Sequence, residues 1–302
     1  MSRCGPIVTL SLLLGLAGCA TTPPATPPGV RTGPAGLLDL ARTATPQQMK
    51  AAVEERSAVV DVQDGNGWTP LMYAARYNPD PLVITTLLQA GADLHLRSKD
   101  GATALMYAAG SSSNPAVVAA LLEAGADPDA RDSWGGTPLM YAALNSRNVD
   151  AVTMLLGAGA DVNAQSDEGL TPLMFAANSN PDVRATNALL AAGAATRLSS
   201  GLGWTPLVYA AVNNPNPQVI TSLLKAGADI NATDGDGWTP LMHAARLTSV
   251  PRIVVTLLDA GADATAVSRE GRTAFDYGQD NPALAGTDAL ARLREAVTKP
   301  PR

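Results

Sequence analysis

Residues 69–102 read TPLMYAARYNPDPLVITTLLQAGADLHLRSKDGA, and this 34-residue phrase returns along the chain. Its opening recurs at Thr103, Thr137, Thr171, Thr205 and Thr239, with a decayed copy at Thr273. Its closing LL-x-A-G-A-D keeps step, with glycine at Gly91, Gly125, Gly159, Gly193, Gly227 and Gly261. Thr69-Pro70 is a helix start: the hydroxyl can accept a free backbone N–H, and proline suits a first turn that needs no donor. Asp80-Pro81 starts a second helix by the same chemistry, in a column continued by Asn114, Asn148, Asp182 and Asn216. Val83, Ile84, Leu87 and Leu88 mark its buried face by helical spacing, and Gly91 is placed for the left-handed residue that ends a helix. A polar loop then turns at Asp100-Gly101. Two short antiparallel helices and a turn cannot bury their own apolar face, so neighbouring units must supply the core. The expected fold is an all-α solenoid of helix-turn-helix repeats, period 34, with projecting β-turn or hairpin loops.

The ends of the array change in character. Residues 35–68 form a degenerate first unit, in which Met49, Ala52 and Val53 keep an apolar stripe among Lys50, Glu54, Glu55 and Arg56. Six units fill 69–272, a fading one covers 273–297, and 298–302 is a tail. Polar terminal units are what a stacked array needs to stay soluble.

The pattern G-x-T-P-L…A-A…LL-x-x-G-A-D resembles the ankyrin repeat over about residues 35–297. Two departures stand out. The period exceeds the usual one of about 33 residues, with the extra residue assigned to the Arg76–Pro79 turn. The histidine common after T-P-L is methionine at Met72, Met106, Met140, Met174 and Met242 and valine at Val208, which points to apolar packing in place of a polar network. The resemblance implies a non-catalytic protein-binding array in which turn tips and first-helix ends line a concave face that meets partners.

The chain starts MSRCGPIVTLSLLLGLAGC. A positive start and an apolar run too short to span a bilayer read as a signal peptide over residues 1–18. Leu16-Ala17-Gly18-Cys19 resembles a bacterial lipobox, in which the Cys19 thiol takes the lipid. The competing reading is a simple cleaved signal with a chance cysteine. Residues 19–34, the lipidated cysteine followed by ATTPPATPPGVRTGP, are too rich in proline and threonine to fold and form a tether. Ala20 lacks the aspartate of an inner-membrane retention signal, so outer-membrane anchoring is favoured, with the array facing the periplasm. Cys4 and Cys19 are the two cysteines of the sequence, so this reading leaves the mature chain no free thiol for a disulfide, a nucleophile or a metal.

A hydrophobic content of 46% and a charged content of 16% fit a folded chain. The formal charge of −6 argues against nucleic acid, whose binders need basic patches. The two histidines, His95 and His243, fall at different places in their repeats, and no HExxH or triad pattern accompanies them. Asp-Gly turns such as 233–237 lack the ligand spacing of a calcium loop and read as turns. No enzyme activity, cofactor, metal or small-molecule substrate is expected.

Because a surface that matches an irregular partner should differ between units, the varied positions carry the functional expectation. They are Trp68, Trp204 and Trp238 before their Thr-Pro pairs; Asp100, Trp134, Asp167, Glu168 and Asp236 in the turns; and Arg76, Tyr77, Leu144, Asn145 and Arg246 at first-helix ends. Tryptophan suits interface hot spots, yet each Trp could equally pack against the neighbouring turn. The column Tyr73, Tyr107, Tyr141, Phe175, Tyr209 and Tyr277 reads as a structural ladder, with a ligand groove as the alternative. Acidic tips point to a partner with a basic patch. In the fourth unit, Gly193-Ala194-Ala195 loses the usual aspartate, as drift or as a local contact site. The functional expectation is an envelope-anchored scaffold. Its alternatives are an inhibitor or immunity-type protein that blocks an envelope enzyme or toxin, a purely architectural self-associating chain, and an enzyme.

Overall fold

The computed structural model describes residues 34–55, 60–144 and 149–298. The signal peptide, Cys19, almost all of the tether, Asn145, Asn148 and the end of the tail lie outside them. Helices α1 (Pro34–Ala41) and α2 (Pro46–Glu55) precede six pairs. These are α3 (Pro70–Tyr77) with α4 (Pro81–Gln89), α5 (Ala104–Ser111) with α6 (Pro115–Glu123), and α7 (Pro138–Leu144) with α8 (Asp150–Gly157). There follow α9 (Pro172–Ser179) with α10 (Val183–Ala191), α11 (Pro206–Asn213) with α12 (Pro217–Lys225), and α13 (Pro240–Leu247) with α14 (Pro251–Asp259). The short α15 (Ala274–Gly278) and α16 (Asp288–Thr298) close the chain. First helices stack on first helices and second on second, so the fold is two helical rows with a row of turns beside them. No strand is assigned among the described residues.

Local chemistry sets the helix ends. The hydroxyls of Thr69, Thr103, Thr171 and Thr239 accept the amide three residues on, at 3.2–3.4 Å. Those of Thr137 and Thr205 are buried without a partner, an exception to the capping read from sequence. Asp80, Asn114, Asp182 and Asn216 cap the second helices as expected, whereas Val250 supplies no side-chain cap. Gly91 has φ +92°, and the Gly91 and Ala92 amides donate to Leu88 and Leu87, which satisfies the last carbonyls of α4.

The core runs between the rows. Leu71, Met72, Ala74 and Ala75 of α3 and Val83, Ile84 and Leu87 of α4 are all at most 1% exposed. The same positions are buried in each unit, and apart from Val–Ile exchanges Val208, Ala151, Ala185 and Thr186 are the exceptions in residue type. The methionines are not purely apolar packing. The sulfurs of Met106 and Met174 accept the amides of Thr103 and Thr171 at 3.5 Å, a weak cap bond where the sequence pointed to none.

The inter-helix turn holds a buried link between units. Asn78 is buried, and its Nδ2 donates to the Ala41 and Ala44 carbonyls of the unit before it at 3.2 and 2.9 Å. Asn214 donates likewise to Ala177 and Asn180 at 2.9 and 3.0 Å, Asn180 to Ala143 at 2.9 Å, and Asn281 to Ala245 and Thr248, both at 3.0 Å. Each Oδ1 accepts an amide two residues on, at 2.9–3.1 Å. These amides tie one unit's helix ends to the next.

The turns stack by main chain. Lys99, Ser133, Asp167, Gly201 and Arg269 donate their amides to the carbonyls of Asn66, Asp100, Trp134, Glu168 and Asp236 at 2.8–3.1 Å. Such close stacking leaves no room for a side chain at Gly101. It has φ +77°, and a Cβ there would stand 2.9 Å from the Ser133 amide nitrogen.

Candidate functional site

The first residue of each turn faces inward, unlike the exposed tip two residues on. Ser98, Asp132, Ser166, Ser200 and Ser268 are buried. Asp132 Oδ1 accepts the Trp134 and Gly136 amides at 2.9 and 2.7 Å, while Oδ2 accepts the Tyr141 hydroxyl at 2.8 Å. The same nine-residue link joins Tyr73 to Asp64 at 2.8 Å and Tyr209 to Ser200 at 3.0 Å. It also joins Tyr277 to Ser268 and His243 Nε2 to Asp234, both at 2.8 Å. This position must be a small acceptor to close the turn and hold the aromatic, so its variation is structural.

The aromatic column is therefore part of the frame. Tyr107, Tyr141, Phe175, Tyr209 and Tyr277 are buried, and Tyr73 is partly so. Burial pushes the Tyr73, Tyr209 and Tyr277 hydroxyls up in pKa; at Tyr73 the Asp64 carboxylate adds to the rise. His243 takes the tyrosine place, buried, with Nδ1 unpartnered. Burial pushes the Asp234 carboxyl up, but the His243 bond and the Trp238 and Asp236 amides outweigh it and hold the pKa below the usual value. His95, by contrast, is exposed in its loop.

Trp68, Trp204 and Trp238 are half-buried between the aromatic of their own unit and that of the next. Trp68 lies 5.1 Å from the Tyr73 ring and 4.0 Å from Tyr107; Trp204 lies 5.3 Å from Tyr209 and 4.7 Å from His243. Trp238 lies 5.1 Å from His243 and 4.0 Å from Tyr277. Each thus packs across a repeat boundary, with part of its ring left to solvent.

The tips proper are open. Asn66, Asp100, Trp134, Glu168, Leu202, Asp236 and Glu270 occupy one turn position in seven successive units, and all are exposed, Trp134 by 40% and Leu202 by 44%. Asp167 is exposed beside them, 3.6 Å from Arg131, a surface pair that contributes little. Among first-helix ends, Tyr77 and Leu144 are partly buried, Arg246 is exposed, and Leu247 is 47% exposed. Arg76 lies over Trp68 and Tyr77, and Arg246 lies 5.9 Å from both Trp238 and Tyr277.

Sequence reading missed the asparagine links and Arg42. Asn78, Asn180 and Asn214 repeat in register, a signal available in the chain. Arg42 lies in the degenerate unit, where register is lost. Its guanidinium sits 4.9 Å from the Tyr77 ring centre.

A shallow cleft of about 440 Å³ opens between the second and third units, lined by Asp129, Arg131, Thr137, Asp161, Asn163 and Gln165. Several of its polar side chains are held by the main chain: Arg131 donates to the Gln165 carbonyl at 2.8 Å and Asp129 accepts the Asp161 amide at 2.8 Å. Asn163 accepts the Ala195 amide at 2.8 Å, so the missing aspartate of the fourth unit leaves the link between loops intact. Among the described residues, no group of three or more His, Cys, Asp or Glu could hold a metal ion. No helix there is long and apolar enough to cross a membrane.

The family described as Ankyrin repeats (3 copies) matches residues 78–166, 139–234, 173–268 and 211–285. A search of curated proteins returns no match. Ankyrin repeats mediate binding to other proteins and are in general non-catalytic scaffolds. The overlapping matches run from residue 78 to 285 of 302, over the same stacked units that the capped helix pairs define; this chain belongs to the ankyrin-repeat family.

Proposed function

We propose that this chain is a non-catalytic protein-binding scaffold, tethered through Cys19 to the bacterial cell envelope with its array in the periplasm. One observation carries the binding half. The interior positions of the six units are nearly identical and buried, while the tip position reads Asn, Asp, Trp, Glu, Leu, Asp, Glu and is exposed throughout. Glu270 accepts the Tyr277 hydroxyl, but the side chains at the other six tips make no hydrogen bond among the described residues, so a partner is what can use them. Tips that combine Trp134 and Leu202 with Asp100, Asp167, Glu168 and Asp236 favour a partner with an apolar anchor and a basic patch. The tether half rests on the lipobox-like Leu16–Cys19 and the proline-rich segment after it.

Two measurements test the two halves. Full-length chain with Trp134→Ala, Asp167→Ala and Glu168→Ala should lose a partner that wild type captures from envelope extract. A partner held equally by both moves the interface away from these tips. The half-buried tryptophans are unsuitable for this purpose, since changing them perturbs packing. Labelling with radioactive palmitate should mark the wild-type chain and not Cys19→Ser; label on both, or on neither, refutes the anchor.

A further inference from the structure

Resting on that reading as a protein-binding array, we propose that Arg42 and Arg76, gathered on Tyr77 at the N-terminal end, form a carboxylate-binding site for an acidic segment of a partner protein. Arg42 stands 4.9 Å and Arg76 5.2 Å from the Tyr77 ring centre, and Arg76 also lies 5.4 Å from that of Trp68. Tyr77 in turn stacks on Tyr73 at 6.2 Å. Aromatic faces orient guanidinium forks while leaving their edges free, which suits planar recognition of a carboxylate. Neither arginine has an ion pair or a side-chain hydrogen bond among the described residues, and Arg76 Nη1 is buried without any acceptor. A buried donor left unpaired is costly, and the chain itself leaves the Arg76 guanidinium unsatisfied.

Asp64, the carboxylate bonded to the neighbouring Tyr73, is already committed. Asp64 Oδ1 accepts the Asn66 and Trp68 amides, both at 2.8 Å, and Oδ2 accepts the Tyr73 hydroxyl at 2.8 Å. An arginine outside this register gives a comparison at the C-terminal end. There Arg272 lies 4.4 Å from the Tyr277 ring, but Asp280 pairs with it at 3.0 Å, and Glu270 accepts the Tyr277 hydroxyl at 3.2 Å. Among the described residues, a carboxylate pairs with Arg272 at one end and none pairs with Arg42 or Arg76 at the other. Its N-terminal segment cannot fill the place, since residues 1–38 contain no aspartate or glutamate. The occupant proposed is therefore a partner's acidic segment.

The test uses the full chain and a terminally blocked tetraglutamate peptide, with blocked tetralysine as its opposite, followed by calorimetry at low and high salt. Tetraglutamate should bind at low salt. Arg42→Gln with Arg76→Gln should weaken it by about tenfold or more, as expected for charge-assisted pairs, while Arg252→Gln should leave it unchanged. If the double variant loses its thermal transition, Arg76→Lys keeps the charge and removes the fork, and should still weaken binding several-fold. Equal binding by wild type, Arg42→Gln and Arg76→Lys overturns the site. So does arginine-dependent binding to phosphatidylglycerol vesicles without peptide binding, which assigns the pair to a lipid headgroup, or arginine-dependent self-association, which assigns it to a second copy. A partner captured undiminished by the double variant removes this site and leaves the scaffold standing.

Discussion

Replacing Asn214 by alanine should weaken the array more than any comparable change on its surface. The side chain is 1% exposed and makes three hydrogen bonds of 3.0 Å or less, beside a longer one of 3.5 Å to the Ala176 carbonyl. Nδ2 donates to the Ala177 and Asn180 carbonyls of the preceding unit, and Oδ1 accepts the Asn216 amide at the start of α12, all at 2.9–3.0 Å. At a net value of about 1 kcal/mol each, the loss is about 3 kcal/mol, since the groups left behind are too buried for water to replace the side chain. Asn213 is the internal control. It is exposed and donates once, to Asn178 Oδ1 at 2.7 Å, so Asn213→Ala should cost about 1 kcal/mol or less. Urea unfolding followed by both far-UV circular dichroism and tryptophan emission gives the comparison. A cost for Asn214→Ala no larger than that for Asn213→Ala refutes the view that these buried amides couple neighbouring units.

Three further outcomes follow from the geometry. Gly101→Ala should cost about 3 kcal/mol, because φ is +77° and the new Cβ presses on the Ser133 amide, whereas Gly91→Ala, at φ +92° with open space around it, should cost about 1–2 kcal/mol by melting temperature. Trp134→Ala should change stability by less than about 0.5 kcal/mol, while Trp68→Ala, which removes a ring packed on Tyr73 and Tyr107, should cost about 2–3 kcal/mol; equal urea midpoints would remove the distinction between tip and wedge. The folded-state pKa of Asp234 is depressed, so its contribution is present above the unfolded value of about 3.9 and fades as pH falls through the lower folded value. Asp234→Asn should therefore be less stable than wild type at pH 7, with the gap closing by pH 2; a gap independent of pH contradicts this.

The fold was legible because each repeat carries its own punctuation. Thr-Pro and Asp-Pro or Asn-Pro announce helix starts, a glycine ends the second helix, and the period places each unit on the last. What stayed hidden depends on direction rather than sequence. Asp132 and Trp134 are near neighbours in one turn, yet one is buried under a tyrosine and the other points to solvent. Trp68 and Trp134 are the same residue type with opposite surroundings, because Trp68 precedes the helix and wedges against the next unit. Asn78 repeats in register but has no family phrase around it, so its reach to Ala41 and Ala44 appears only in three dimensions. Arg42 carries no periodic signal, since the first unit has lost the register that marks the others.

The central claim is that the exposed, variable tips contact another protein. Photo-crosslinking tests it most directly, with a photoreactive residue placed in turn at Trp134, Glu168 and Asp236, and at Arg252 on the second-helix row as reference. In envelope preparations the account predicts one shared adduct from the tip positions and none from position 252. Adducts from the second-helix row alone, or from no position, contradict it.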